Sequence, residues 1–180
     1  MTSQEKLCSF EEKISPHLKS AYNLARWLTH SHEDAEDVVQ EAFLRAFSAF
    51  EQFRGEQSKA WLLAIVRNTA LTLLKRKYNS TDTVCLEESV ADPIEPSPGP
   101  EESLLISCNR EHVRQALRQL PSDFREAVIL REMEGLSYKE IATTMGVPLG
   151  TVMSRLSRGR DWLTRILSNT NAPSVKEEPV

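Results

Sequence analysis

Near the C-terminus the stretch "MGVPLGTVMSRLSRGRDWLTR" holds four arginines, Arg155, Arg158, Arg160 and Arg165. A guanidinium group binds phosphate oxygens and, as a fork, the O6 and N7 edge of guanine. On a helix beginning near Gly150, Met153, Ser154, Ser157, Arg158 and Asp161 share one face. Val152, Leu156, Leu163 and Leu167 fall on an opposed face that would hold the helix to a core. Thr151 stands at the start, where backbone N–H groups and the helix dipole suit a phosphate. Arg158 with Met153, Ser154 and Ser157 thus forms a base-reading set for a major groove, and Arg155 and Arg160 are assigned to phosphate. The bland alternative for the same residues is a solvated basic face.

A second cluster offers different chemistry. Asp34, Asp37 and Glu41, with His30 and His32 nearby, have the spacing of carboxylates that hold Mg²⁺ from one helix. No nucleophile or phosphate-binding loop accompanies them, and acidic residues in a first helical turn serve capping and the dipole. No metal and no cofactor is therefore expected, and no catalytic residue is assigned. Cys8, Cys85 and Cys108 share neither metal-like nor redox-like spacing, so they read as reduced thiols.

The elements that must position these residues are helical. In "SHEDAEDVVQEAFLRAFSAF", Ser31 with Asp34 three residues on is a capping arrangement. Val39, Phe43, Phe47 and Phe50, with Ala42 and Ala46, make its buried stripe, while Asp37, Glu41 and Arg45 lie opposite and Gln40 at the edge. "SKAWLLAIVRNTALTLLKRKY" is a second helix, apolar nearly all round and ending in Lys75, Arg76 and Lys77. Two further amphipathic helices, "NREHVRQALRQL" and "SDFREAVILREME", are broken at Pro121. Ser137 and Glu140 then form a capping box, and Gly146 stops the short helix that follows. Val147 and Pro148 turn the chain into the arginine-bearing helix, with small Ala142 at the crossing: a helix-turn-helix pattern.

The chain as a whole is acidic, with net charge -4 over 180 residues, which sits oddly with a polyanion-binding helix. The charge is unevenly spread. Residues 1–77 carry a net +1 and residues 110–165 a net +3, whereas 78–109 hold seven acidic residues and no Lys or Arg. That middle stretch contains Pro93, Pro96, Pro98 and Pro100 and has no helical period, the composition of a linker. The expected architecture is all-α: two small helical domains, 10–78 and 104–168, joined by a flexible acidic Pro-rich linker at 79–103. The second domain contains the helix-turn-helix, and 169–180 forms a disordered tail. No apolar run approaches the roughly 18 residues of a membrane span, and the first residues lack a signal peptide's apolar core, so no membrane insertion and a cytoplasmic location are expected.

Taken in order and spacing, "DAEDVVQEAFLRAF", "FRGEQSKAWLLAIVRNTALTLLKRK" and "LRQLPSDFREAVILREMEGLSYKEIATTMGVPLGTVMSRLSRGR" resemble a bacterial extracytoplasmic-function (ECF, group 4) sigma factor of the sigma-70 family. The resemblance implies a non-enzymatic RNA polymerase subunit that recognises minus-ten and minus-thirty-five promoter elements and promotes DNA opening. It implies that the "DAEDVVQEAF" helix docks on the beta-prime coiled coil of core polymerase, with Asp37, Gln40, Glu41 and Arg45 as polar contacts. The beta flap is the second expected polymerase contact. The loop "FRGEQSKAW" resembles the family's trap for a base flipped from the minus-ten element, with Arg54, Gln57 and Lys59 lining or flanking it. Phe53 and Trp61 read as core.

Asn68 matches an asparagine associated with strand opening. Where the family often has an arginine this chain has Ala64, and the nearest arginine is Arg67. Lys75, Arg76 and Lys77 resemble phosphate contacts, which give affinity and salt dependence rather than sequence choice. Thr151, Met153, Ser154, Arg155, Ser157, Arg158 and Arg160 correspond to the minus-thirty-five reader, Met153 suiting a thymine methyl. The linker resembles the segment that runs near the active-site and RNA-exit channels, as an anionic RNA mimic or as a simple tether. An anti-sigma factor is a further implied partner, for a stress or envelope-signal regulon. The competing expectation is a stand-alone helix-turn-helix regulator, which leaves the N-terminal motifs unexplained.

Overall fold

A computed structural model describes residues 3–80 and 110–170. The acidic linker from 81 on, the end of the tail, Cys85 and Cys108 lie outside the described residues. Within them the only regular structure is helical. The N-terminal unit comprises α1 (Ser3–Ile14), a 3₁₀ turn (Ser15–His17), α2 (Leu18–Thr29), α3 (His32–Ala49), a second 3₁₀ turn (Phe50–Gln52) and α4 (Ser58–Ser80). The C-terminal unit comprises α5 (110–118), α6 (Ser122–Val128) running on into a π turn (Ile129–Met133), α7 (Tyr138–Met145) and α8 (Leu149–Thr170).

Local chemistry sets the helix ends. His30 closes α2 with φ 58°, its N–H donating to the Arg26 carbonyl, and Thr29 Oγ1 donates to the Ala25 carbonyl at 2.9 Å. Ser31 then caps α3, its hydroxyl accepting from the Asp34 N–H at 3.3 Å. Ser137 and Glu140 form the expected capping box, and Gly146 ends α7 in the left-handed region at φ 66°. The arginine-bearing helix starts at Leu149, one residue before the expected Gly150.

The expected stripe of α3 is buried at Val39, Ala42, Ala46 and Phe50, with Val38 and Ala35 beside it and Phe43 and Phe47 half-buried. Phe10 of α1 anchors it, meeting Phe43, Phe47 and Phe50 edge-on at centroid distances of 6.2, 5.2 and 5.3 Å. Such edge-to-face pairs contribute about 0.5–1.5 kcal/mol beyond the area they bury. In the C-terminal unit, α8 packs on α6 through Val152, Leu156 and Gly159. A Cβ at Gly159 would lie 2.8 Å from Val128 Cγ2, so glycine permits this close crossing.

The two units are not held apart. Helix α4 packs against α1, α2 and α3 and also against α7, and the buried side chains run as one cluster from Phe10 through Leu62, Leu63 and Val66 to Ile141, Met145 and Leu156. This explains why α4 is apolar nearly all round: each side meets a different unit. Polar contacts cross the same boundary. Lys59 Nζ lies 3.1 Å from a Glu134 carboxylate oxygen and donates to the Glu134 carbonyl at 2.6 Å. Arg67 binds the Glu126 carboxylate, and Thr144 Oγ1 donates to the Ala60 carbonyl at 3.3 Å.

Candidate nucleic-acid interface

Helix α8 sorts its side chains as its period predicts. Val152 and Leu156 are fully buried, while Met153, Ser154, Ser157 and Arg158 are exposed along the other face. Ser154 Oγ donates to the Thr151 carbonyl at 3.0 Å, which spends the hydroxyl proton and leaves the oxygen as an acceptor. Half-buried Thr151 gives its N–H to the Pro148 carbonyl at 2.9 Å, so Leu149 and Gly150, both exposed, lead the helix.

The arginines of α8 differ in their surroundings. Arg155 donates to Asp123 at 2.6 Å, and Arg160 makes a two-nitrogen contact with Glu132 at 3.1 and 2.6 Å. The Glu132 and Tyr138 hydrogen bonds hold the Arg160 guanidinium above its ordinary pKa range. Arg158 points to solvent and has no ion pair among the described residues. Two cations are thus tethered to the unit's own carboxylates, while Arg158 and Arg165, seven residues apart, are exposed without an ion pair among the described residues.

The N-terminal residues spread over two surfaces. On α3, Asp37 and Gln40 are exposed, and Glu41 and Arg45 form an i,i+4 ion pair. Leu44 projects between them at 70% exposed, over a shallow open depression lined by Glu41, Arg45, Ser48, Ala49 and Gln52. Sequence reading missed Leu44 because helical periodicity counts apolar residues toward the core. On the other surface, Arg54 and Gln57 are exposed in the loop before α4, and Lys59 is half-buried at the helix start.

His17 Nε2 lies 3.0 Å from Ser58 Oγ beside Lys59; burial and then the Lys59 charge hold its imidazole below the ordinary histidine pKa. Asn68, Lys75, Arg76 and Lys77 are exposed along α4. Lys77 reaches both Asp34 oxygens, at 2.6 and 2.7 Å, joining the end of α4 to the first turn of α3. Phe53 and Trp61 meet with rings tilted by 31° and centroids 4.6 Å apart, and both pack half-buried against the core. Among the described residues no three His, Cys, Asp or Glu side chains group to hold a metal ion. No described helix is long and apolar enough to cross a membrane.

Comparison with known proteins places names beside these surfaces. Residues 14–79 match the family described as Sigma-70 region 2, and residues 110–163 match Sigma-70, region 4. The ECF RNA polymerase sigma factor SigE of Mycolicibacterium smegmatis is 35% identical over 173 residues, covering 96% of this chain and 67% of that protein. The ECF RNA polymerase sigma-E factor of Escherichia coli is 39% identical over 71% of both chains. Among solved structures, the sigma factor RpoE in complex with the anti-sigma factor NepR, from Bartonella quintana, aligns with a TM-score of 0.73 and 30% identity. That alignment covers 89% of this chain and 97% of RpoE.

Proposed function

The chain belongs to the sigma-70 family as an ECF RNA polymerase sigma factor, and from that premise we propose how its residues divide the work. The unit spanning 10–78 binds core polymerase and the minus-ten element, 79–103 tethers, and 104–168 reads the minus-thirty-five element. On α3, Asp37, Gln40, Glu41 and Arg45 ring Leu44 as the face for the beta-prime coiled coil. Arg54, Gln57 and Lys59 surround the flipped base, Asn68 assists strand opening, and Lys75, Arg76 and Lys77 hold phosphate. On α8, Met153, Ser154, Ser157 and Arg158 meet base edges, while Arg155, Arg160 and the helix start at Thr151 hold the backbone.

The observation that carries this reading is the exposed face of α8, where Arg158, without an ion pair among the described residues, is flanked by two arginines already tethered by carboxylates. Tethering aims a guanidinium along the groove edge, and an untethered one is free to enter it. The family's members act without catalysis of their own, and we assign none to this chain; its place of action is the cytoplasm, with polymerase. Because RpoE was solved with NepR and aligns over both helical units, we assign an anti-sigma factor as a third partner beside polymerase and promoter DNA.

The test is binding of the purified chain to core polymerase in gel filtration, with Leu44→Ala and Glu41→Ala/Arg45→Ala as comparisons. Co-elution that the variants weaken supports the assignment. No co-elution at all removes it.

A further inference from the structure

The assignment of Lys59 to DNA meets a structural competitor within the same chain, and Arg67 on the same helix shares it. Lys59 and Arg67 lie eight residues apart on α4, about 12 Å along the axis. Glu134 and Glu126 are also eight residues apart and run the opposite way, so Lys59–Glu134 and Arg67–Glu126 form an antiparallel ladder between the two units. The carboxylates are the deeper members, with side chains 3% and 6% exposed, against 29% for Lys59 and 17% for Arg67.

The π turn helps to align them. Eight residues of pure α-helix leave two side chains about 80° apart around the axis. The wider turn at Ile129–Met133, closed by the Glu134 N–H on the Ile129 carbonyl at 3.1 Å, narrows that gap. The buried hydroxyl of Thr144 adds a third rung on the Ala60 carbonyl. Apolar packing of α7 on α4 flanks the polar contacts.

This closed arrangement is incompatible with reading two promoter elements together. Elements named for positions ten and thirty-five are about 25 base pairs apart, roughly 85 Å at 3.4 Å per step. Two units packed through α4 and α7 cannot span that distance. The segment 81–109 is long enough to let them separate, at up to about 3.3 Å per residue.

We infer that Glu126 and Glu134 latch the C-terminal unit onto α4, Glu126 through Arg67 and Glu134 through Lys59, the cation that the proposed function places at the minus-ten site, so that opening is a condition for promoter binding. The Glu134 carboxylate thus occupies the ammonium group that would otherwise face the minus-ten strand. The inference rests on the proposed placement of the minus-ten site. The reading face of α8 stays exposed in the closed form, so the latch masks one DNA site and not the other.

The experiment uses the full chain with Cys8, Cys85 and Cys108 changed to Ser and dyes on Glu12→Cys and Gln119→Cys, one in each unit. Energy transfer reports closure, and acylation of Lys59 by an amine-reactive ester, read by mass spectrometry, reports masking. The latch predicts high transfer in the parent. It predicts loss of transfer, with at least a tenfold rise in Lys59 acylation, in Glu126→Gln/Glu134→Gln. Lys59→Gln/Arg67→Gln, altering the other side, should lose transfer equally, with helical circular dichroism retained in both. A single-stranded minus-ten oligonucleotide should bind the glutamate variant at least tenfold more tightly than the parent.

Low transfer in the parent, or transfer unchanged from either side, overturns the inference. Loss of transfer with Lys59 acylation and oligonucleotide binding unchanged also overturns it, because the cations would not have been masked. The transfer measurement needs neither polymerase nor promoter, so a failure to bind core polymerase sinks the proposed function and leaves the closure result standing.

Discussion

Arg155 and Arg158 stand three residues apart on α8 with opposite attachments: Arg155 is bound to Asp123 at 2.6 Å, whereas Arg158 projects into solvent without an ion pair among the described residues. A guanidinium anchored by a carboxylate keeps its charge but gives up part of its donor fork, which suits a phosphate contact. An unanchored guanidinium keeps all five donors for the bidentate geometry of guanine. Arg158→Ala is therefore expected to cost about 1–3 kcal/mol and to relax preference at one upstream base pair. Competition binding of the holoenzyme to promoter variants measures this. Loss spread evenly over all promoters would place Arg158 on phosphate instead.

Lys75 and Arg76 are exposed at the end of α4, and the proposed division of labour gives them phosphate contacts. Arg76→Ala should weaken binding across sequences and lower the slope of log affinity against log salt by about one. A salt titration of promoter binding reads the slope. A variant that changes sequence preference and keeps the slope contradicts the division between α4 and α8.

Leu44 is exposed on α3, so truncating it removes little from the core of this chain. Leu44→Ala should leave unfolding free energy within about 0.5 kcal/mol of the parent. Affinity for core polymerase should fall by more than about 1 kcal/mol, the behaviour of an apolar anchor at an interface. Thermal melting and polymerase titration together check it; a destabilised chain with normal polymerase affinity is the contrary result.

Gly159 sits where α8 crosses α6, and a methyl group there would press on Val128 Cγ2. Gly159→Ala is expected to destabilise by about 1–3 kcal/mol through overpacking, despite alanine's better helix propensity. Adding Val128→Ala should recover part of the loss. Urea denaturation decides the sign.

His17 titrates below its ordinary value because burial, and next the Lys59 charge, penalise its cation. The unfolded chain, with an imidazole near 6.5, then binds more protons than the folded chain just below that pH. The stability contributed by neutral His17 is complete above about 6.5 and is lost as pH falls from there toward the lowered folded value. His17→Gln should flatten the stability profile in this window, measured by denaturant unfolding at successive pH values. An unchanged profile would mean that His17 does not titrate there.

The parts legible in the sequence were those written in short-range chemistry. Ser31, the Ser137–Glu140 box and Gly146 mark their helix ends because each acts within four residues. The α8 face was equally open to reading, since Val152 and Leu156 recur at the helical period. What stayed hidden depends on contacts between residues distant in sequence. The partners of Lys59 and Arg67 lie 75 and 59 residues away, and no periodicity points to them. The apolar surplus of α4 was visible, but its reason, a second unit packed through α7, was not. Gly159 has no side chain for a periodic pattern to register, yet it is where two helices touch.

The central claim is that this chain directs core RNA polymerase to promoters through two separate reading surfaces. The most direct test is run-off transcription by purified core polymerase plus this chain on a library randomised across both promoter elements. The account predicts transcripts only when the chain is added, from templates sharing two preferred elements, with the upstream preference relaxed by Arg158→Ala. Transcripts that do not depend on the chain, or selected templates with no shared element, would contradict it.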